Sequence, residues 1–116
     1  MNVPDNDMTD IEAKELRATG AQIRRIGQIR RMTQEELALK AGHDLTANDI
    51  DSLEKGENNM LMVPFFEVCL ALGVTLNDLT VEYYAAQMMP EEFARWDEKE
   101  REAALMTAAF YAVRKE

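Results

Sequence analysis

One histidine, His43, and one cysteine, Cys69, are the chain's entire stock of imidazole and thiol groups. With one of each, neither a metal-ligand cluster nor a nucleophile–base pair can be assembled on a recognisable spacing, and there is no glycine-rich phosphate loop. His43 falls in a predicted turn, and Cys69, between Val68 and Leu70-Ala71, reads as a small buried core residue. The carboxylates are scattered along polar helical stretches, the distribution of solvating charge. An enzyme is not expected, nor is a cofactor or a metal. The remaining groups with chemistry are hydrogen-bonding side chains in the stretch Met32–Gly56, MTQEELALKAGHDLTANDIDSLEKG, and the arginines that precede it.

Charge sharpens this division. The net charge is −9 at pH 7, unusual for a chain that would bind nucleic acid, which favours an excess of Lys and Arg. Its distribution is uneven. Residues 1–13 carry only acids, at Asp5, Asp7, Asp10 and Glu12, whereas from Lys14 to Arg31 six basic residues (Lys14, Arg17, Arg24, Arg25, Arg30 and Arg31) face the single Glu15. Between Gly42 and Asn59 the sign reverses, with Asp44, Asp49, Asp51, Glu54 and Glu57 against Lys55 alone. A basic stripe and an acidic segment on one small chain imply different partners or roles.

The elements that must hold these groups follow from caps and periodicity. Thr33 with Glu36 three residues on forms a capping box, so a helix opens at Gln34. Gly42 can take the left-handed conformation that ends it, Thr46 opens a second short helix and Gly56 closes that one. Two short helices about a glycine turn are the layout of a helix-turn-helix. Leu37, Ala38 and Ala41 on the first helix, and Ile50 and Leu53 on the second, face the core; Asn48, Asp49, Asp51 and Ser52 face solvent.

Before this unit, residues 1–8 read as a solvated arm, Thr9 or Asp10 as a cap, and Thr19-Gly20 as a break between a short helix and a longer one whose Ile23, Ile26 and Ile29 share a face. After it, Met60–Gly73 reads as a helix with Pro64 in its first turn and Phe65, Phe66, Val68, Cys69, Ala71 and Leu72 in the core, ended by Gly73. Thr75 caps a short helix through Leu79 that runs on towards Tyr83 and Tyr84. Met88 and Met89 are adaptable core fillers. Pro90 starts a final segment whose stretch Ala103–Val113, AALMTAAFYAV, is apolar nearly all round. Such a helix needs cover on more than one side. Phe93 and Trp96 can pack one side on the bundle, and we expect a dimerisation helix using Phe93, Trp96, Met106, Phe110 and Tyr111. No apolar run approaches the ~18 residues of a membrane span, and the acidic start lacks a signal peptide's features; a soluble, cytoplasmic chain is expected.

The segment Gly20–Leu79 resembles the DNA-binding domain of Cro and phage-repressor proteins, the XRE-type helix-turn-helix family. The resemblance lies in GAQIRRI, MTQEELALKAG, IDSLEKG and PFFEVCLALGVTLNDL, in that order and spacing. It implies an all-α fold: a five-helix lambda-repressor-like helix-turn-helix domain over 19–80, with an N-terminal helical arm over 1–18 and a C-terminal helical extension over 81–116. It also implies a dimeric transcriptional regulator, by default a repressor, on double-stranded operator DNA.

Carried over by residue, the resemblance sets Gln34 against a DNA phosphate, together with Arg24, Arg30 and Arg31 as phosphate-neutralising groups. Thr46, Ala47, Asn48, Asp49, Asp51 and Ser52 then fall at or near the major-groove face of the recognition helix. Asn48 is the best base reader, since an amide can pair with adenine N6 and N7, and Ser52 can serve several bases. This sequence departs from the family pattern at HDLTAND, about two residues longer than the usual turn, and at the recognition helix itself, which carries acids and no Lys or Arg. Glu57-Asn58-Asn59 also lacks the basic residues common there. The alternative reading is a helix-turn-helix scaffold whose acidic face meets a basic protein partner, such as a toxin or another regulator.

Overall fold

The computed structural model describes residues 10–57 and 60–114. Among them are eight helices and no strand: α1 (Asp10–Ile29), α2 (Gln34–Ala41), α3 (Ala47–Glu54), α4 (Met62–Leu72), α5 (Leu76–Leu79), α6 (Val81–Met88), α7 (Pro90–Arg95) and α8 (Glu98–Arg114). None is long and apolar enough to cross a membrane. The arm expected over 1–8, the cap at Thr9 and the loop residues Asn58 and Asn59 lie outside the described residues.

The break expected at Thr19-Gly20 is absent: α1 runs unbroken for 20 residues. Gly20 is buried, and a Cβ there would lie 2.6 Å from the carbonyl oxygen of Glu54 and closer still to that of Leu53. The glycine therefore serves a helix crossing, in which α1 passes over the C-terminal end of α3. Gly56 completes the contact. Its φ of +73° suits glycine, and a Cβ there would lie 2.7 Å from the Cα of Arg17. At its other end α1 stops at Ile29, where Met32 N–H returns to the Gly27 carbonyl at 2.9 Å and Arg31 takes φ +56°. Arg30 and Arg31 thus occupy a turn.

Both short helices open on reciprocal capping boxes. Thr33 Oγ1 accepts from Glu36 N–H at 3.0 Å while Glu36 Oε1 accepts from Thr33 N–H at 2.9 Å. Asp49 plays the Glu36 role in α3, accepting from Thr46 N–H at 2.8 Å. Between them, Leu45 N–H bonds to the Gly42 carbonyl at 3.1 Å, and the two central residues His43 and Asp44 have φ of +56° and +57°. Positive φ at both central positions marks a type I′ turn, and His and Asp enter that region more readily than most residues. His43 and Asp44 are accommodated in this way. Asp44→Gly is expected to relieve the backbone strain and stabilise the fold by up to ~1 kcal/mol, with the gain limited by the added freedom of the unfolded chain; thermal unfolding measures it.

α4 ends on Gly73 in the left-handed conformation, and Val74 N–H returns to the Cys69 carbonyl at 3.0 Å. Thr80 separates α5 from α6, and the segment after Pro90 is two helices rather than one. The break at Trp96-Asp97 has a local cause: Asp97 Oδ1 accepts from Glu100 N–H at 2.8 Å and Glu100 Oε1 from Asp97 N–H at 3.0 Å, a further reciprocal cap.

The core joins Ile23 and Ile26 of α1 to Leu37, Ala38 and Ala41 of α2, Ile50 and Leu53 of α3, Val68, Cys69, Ala71 and Leu72 of α4, and Leu79 of α5. Burial pushes the Cys69 thiol up to about 11, so it is uncharged at neutral pH. Phe66, Met88 and Met89 are exposed, not core: α4 turns Val68, Cys69, Ala71 and Leu72 inward, which leaves Phe66 on its outer side, and α6 has no buried residue at all.

α8 adds Ala109 and Ala112 to the same core. It is held on α1 by a polar cluster. Gln22, only 1% exposed, donates from Nε2 to the Leu105 carbonyl at 3.2 Å and accepts from Arg25 Nη1 at 2.8 Å. Arg25 grips Glu102 with two bonds, Nε to Oε2 at 2.8 Å and Nη2 to Oε1 at 2.6 Å. That bond to Arg25 holds the Glu102 carboxyl below its usual 4.5. A lowered pKa in the folded state means the bridge contributes stability above that value and loses it as acid protonates Glu102. Because Glu102 is half exposed, its contribution is under ~1 kcal/mol. Glu102→Gln at neutral pH is accordingly expected to speed hydrogen exchange of the amides around Leu105–Ala112 while leaving α2 and α3 unchanged, and the wild-type chain should show the same local loosening as the pH falls below 4.5 and through the lowered folded-state value.

Candidate nucleic-acid interface

The acids of α3 are engaged by neighbours. Asp49 is consumed in the N-terminal cap: its Oδ2 takes both the N–H and, at 3.0 Å, the hydroxyl of Thr46. Asp51 Oδ1 accepts from Gln34 Nε2 at 3.0 Å, and its Oδ2 pairs with Lys55 Nζ at 2.8 Å one turn on. The Lys55 and Gln34 hydrogen bonds hold the Asp51 carboxyl below its ordinary range. Glu54 accepts from the same Gln34 amide at 3.0 Å. Its burial pushes its pKa up, against the pull of Gln34 and of the Arg24 charge.

Gln34 is thus the hub of this cluster. It sits at the first position of α2, half-buried, with its amide nitrogen turned to two carboxylates of α3. The side-chain phosphate contact implied by the resemblance requires those bonds to be exchanged.

The other side chains singled out from the sequence are placed as follows. Asn48 and Thr46 are exposed and Ala47 and Ser52 half-buried; among the described residues, neither the Asn48 amide nor the Ser52 hydroxyl has a hydrogen-bond partner within the chain. Arg24 is exposed on α1, and its charge acts on both Asp51 and Glu54. Arg31 is exposed in the turn after α1. Arg30 donates from Nε to the Leu72 carbonyl, joining the end of α1 to the last turn of α4. Asn48, Ser52 and Arg24 therefore remain available to an outside partner, while Gln34, Thr46, Asp49, Asp51 and Arg30 hold the scaffold.

The residues expected to mediate dimerisation divide in the same way. Phe93 and Trp96 are half-buried and tilt on each other with ring centroids 5.9 Å apart, and the Arg101 guanidinium lies 5.5 Å from the Phe93 centroid. Met106 is half-buried, and Phe110 and Tyr111 are exposed on the side of α8 away from Leu105, Ala109 and Ala112.

Gln22, Arg25 and Glu102 were not legible as a unit. Arg25 and Glu102 are 77 positions apart, and no local pattern pairs them. Asp49 is expected on the solvent-facing side of the recognition helix and instead closes the cap; the signal for that role is local, Thr46 with an acid three residues on. Comparison of the chain with protein-family models, with curated proteins and with solved structures finds no match.

Proposed function

We propose that the chain is a helix-turn-helix DNA-binding regulator in which α2 and α3 form the motif, the second half of α1 through α5 makes a five-helix lambda-repressor-like domain, and α3 is the recognition helix. The observation that carries this reading is the engagement of the α3 acids: Asp49 in the cap, Asp51 with Lys55 and Gln34, and Glu54 with Gln34. An acidic recognition helix is the strongest objection to DNA binding, since unmatched carboxylates beside phosphate are repelled or must be desolvated. Intramolecular partners answer most of it. What α3 presents outward unengaged is the Asn48 amide and the Ser52 hydroxyl, groups that read base edges in the major groove.

In this reading Asn48 and Ser52 contact bases, Thr46 lies at the groove edge, and Arg24 and Arg31 neutralise phosphate. The regulator works in the cytoplasm as a dimer, with its two α3 helices about one DNA turn apart, ~34 Å. Selection of bound duplexes from a random pool by the purified chain, with affinity followed from low to moderate salt, tests this. An enriched, roughly palindromic motif whose affinity falls steeply with salt is the expected result. Absence of enrichment at low salt refutes it.

A second reading is favoured by Asp44 and Glu57, which are exposed at the two ends of α3 with no Lys or Arg near them in sequence other than the paired Lys55. There the scaffold binds a basic protein through this acidic rim, in the manner of an antitoxin or co-regulator. Retained binding to a basic partner by a chain that selects no DNA would establish it.

A further inference from the structure

Of the six basic residues from Lys14 to Arg31, Arg25 is engaged by Glu102 and Arg30 by the Leu72 carbonyl, and the reading above gives Arg24 and Arg31 to DNA phosphate. Lys14 and Arg17 have no part in it. Because α1 runs unbroken from Asp10, these two share a helix with Arg24. Lys14, Arg17, Ala21, Arg24 and Gln28 recur at three- and four-residue steps, so at ~100° per residue they fall within an arc of ~80° and form a stripe ~21 Å long.

Lys14, Arg17, Arg24 and Gln28 are exposed, and no acid stands among them: Glu12 and Glu15 lie ~140–160° round the helix from Arg17. Among the described residues neither Lys14 nor Arg17 has an ion pair or a hydrogen-bond partner. Like charges one turn apart weaken an isolated helix, and a chain of net charge −9 has acids to spare for this face. Solvation alone does not call for a stripe of one sign.

Its place against α3 is fixed at three levels. The Arg24 charge reaches Asp51, Glu54 and Lys55, Gly20 lies on the Leu53 and Glu54 carbonyls, and Arg17 backs on Gly56. Passing from Arg24 to Arg17 thus follows α3 from Asp51 to its end, and Lys14 lies ~4.5 Å further along the axis. The side chains of Asp51 and Lys55 are 36% and 59% exposed beside Arg24, so the stripe and the outer side of α3 open on one surface. The nearest acids do not neutralise it: Asp51 is taken by Lys55 and Gln34, Glu54 by Gln34, and among the described residues Glu57 forms no ion pair with Arg17.

We propose that Lys14 and Arg17 bind phosphates of the duplex flanking the base pairs that α3 reads, extending the DNA contact along α1. The partner that fits a line of cations is an extended polyanion whose charges repeat, and duplex DNA is the one α3 faces in the reading on which this inference rests. Such contacts add affinity on every sequence and carry no base preference.

The test is fluorescence anisotropy of the full chain on the selected motif, either trimmed to its ends or carrying about one helical turn of arbitrary sequence on each side. Wild-type chain should bind the flanked duplex more tightly and with a steeper salt slope. Lys14→Gln combined with Arg17→Gln should lower that slope by about two per bound chain and weaken binding at about 0.1 M salt at least ~10-fold, since each contact is worth ~8-fold per decade of salt. On the trimmed duplex the double variant should match wild type, and its circular dichroism should be unchanged. Lys14→Glu alone, away from the Gly56 contact, should act in the same direction, which separates charge from packing at Arg17. Lys99→Gln removes an exposed cation on α8 and should change neither affinity nor slope. Equal affinity with and without flanks, or an unchanged slope in the double variant, overturns the proposal, keeps the reading of α3, and leaves the stripe to an acidic protein. An equal loss in Lys99→Gln also overturns it, because the effect then follows net charge. A chain that enriches no motif overturns both.

Discussion

Gly20→Ala is expected to destabilise the bundle by about 3 kcal/mol, the upper range for forcing an atom into packed structure. The sign is the informative part. Alanine in the middle of a helix is favoured over glycine by about 1 kcal/mol, so on local propensity alone the substitution would stabilise α1. The new methyl group, however, would meet the Leu53 and Glu54 carbonyl oxygens, the latter 2.6 Å away. Those atoms are backbone at the C-terminal end of α3 and cannot rotate away. Relief would require α1 to lift off α3, carrying with it the crossing at Gly56 and the contacts of Ile23 and Ile26 in the core.

Gly27→Ala supplies the control on the same helix. A Cβ at Gly27 meets only the Met32 carbonyl oxygen, at 3.9 Å, an ordinary contact distance, so it should stabilise by ~0.5–1 kcal/mol. Thermal unfolding at 4–8 °C per kcal/mol for a domain of this size would separate the two variants by well over ~10 °C. Equal or higher melting temperature for Gly20→Ala would mean that α1 does not cross α3 as described.

Gly20 also shows where sequence reading fails. Its neighbour Thr19 and its own flexibility suggest a helix break, because local propensity registers only what glycine permits. The reason for glycine here is a backbone 33 residues away in sequence, at Leu53, and no window over residues 11–29 contains it. Features whose causes are local were legible: the Thr33–Glu36 cap, the Thr46 helix start, the Gly73 terminus and the inward faces Leu37-Ala38-Ala41 and Ile50-Leu53 all stand as expected. Phe66 was misread for a related reason. Apolar residues surround α4 almost completely, so periodicity could not say which side the core would choose, and the choice went to Val68, Cys69 and Leu72.

The polar side of α3 was half legible. Its composition revealed the acids but not their engagement, which depends on Gln34 reaching across from α2 to Asp51 and Glu54. One consequence is that Gln34 couples the two helices. Its amide bridges carboxylates that the Arg24 charge also favours in their ionised form. A net charge of −9 is therefore a poor guide to the field at this face, where a lysine and an arginine stand against the same acids. Global charge sets long-range association, and local pairing decides what the surface presents at contact.

Arg24→Ala and Asn48→Ala should weaken DNA binding in two different ways, and the difference tests the assignment of roles. Arg24 is exposed on α1 beside α3. If its guanidinium neutralises a phosphate, its loss lowers affinity about equally on every duplex and reduces the slope of log affinity against log salt by about one. The loss should exceed that of a simple phosphate contact, because Arg24 also offsets the charge of Asp51 and Glu54, which then face the DNA backbone less compensated. Asn48 is exposed on the first turn of α3 with its amide unengaged. A bidentate amide–adenine pair discriminates by ~1–3 kcal/mol, so Asn48→Ala should cost ~5- to 150-fold on the selected motif and little on duplexes altered at that one position, with the salt slope unchanged. Fluorescence anisotropy on the selected duplex and its single-base variants, at two salt concentrations, distinguishes the patterns. Equal losses on all duplexes for both variants would assign Asn48 to the backbone, and unchanged affinity in both would remove DNA from this face and leave its acids to a basic protein.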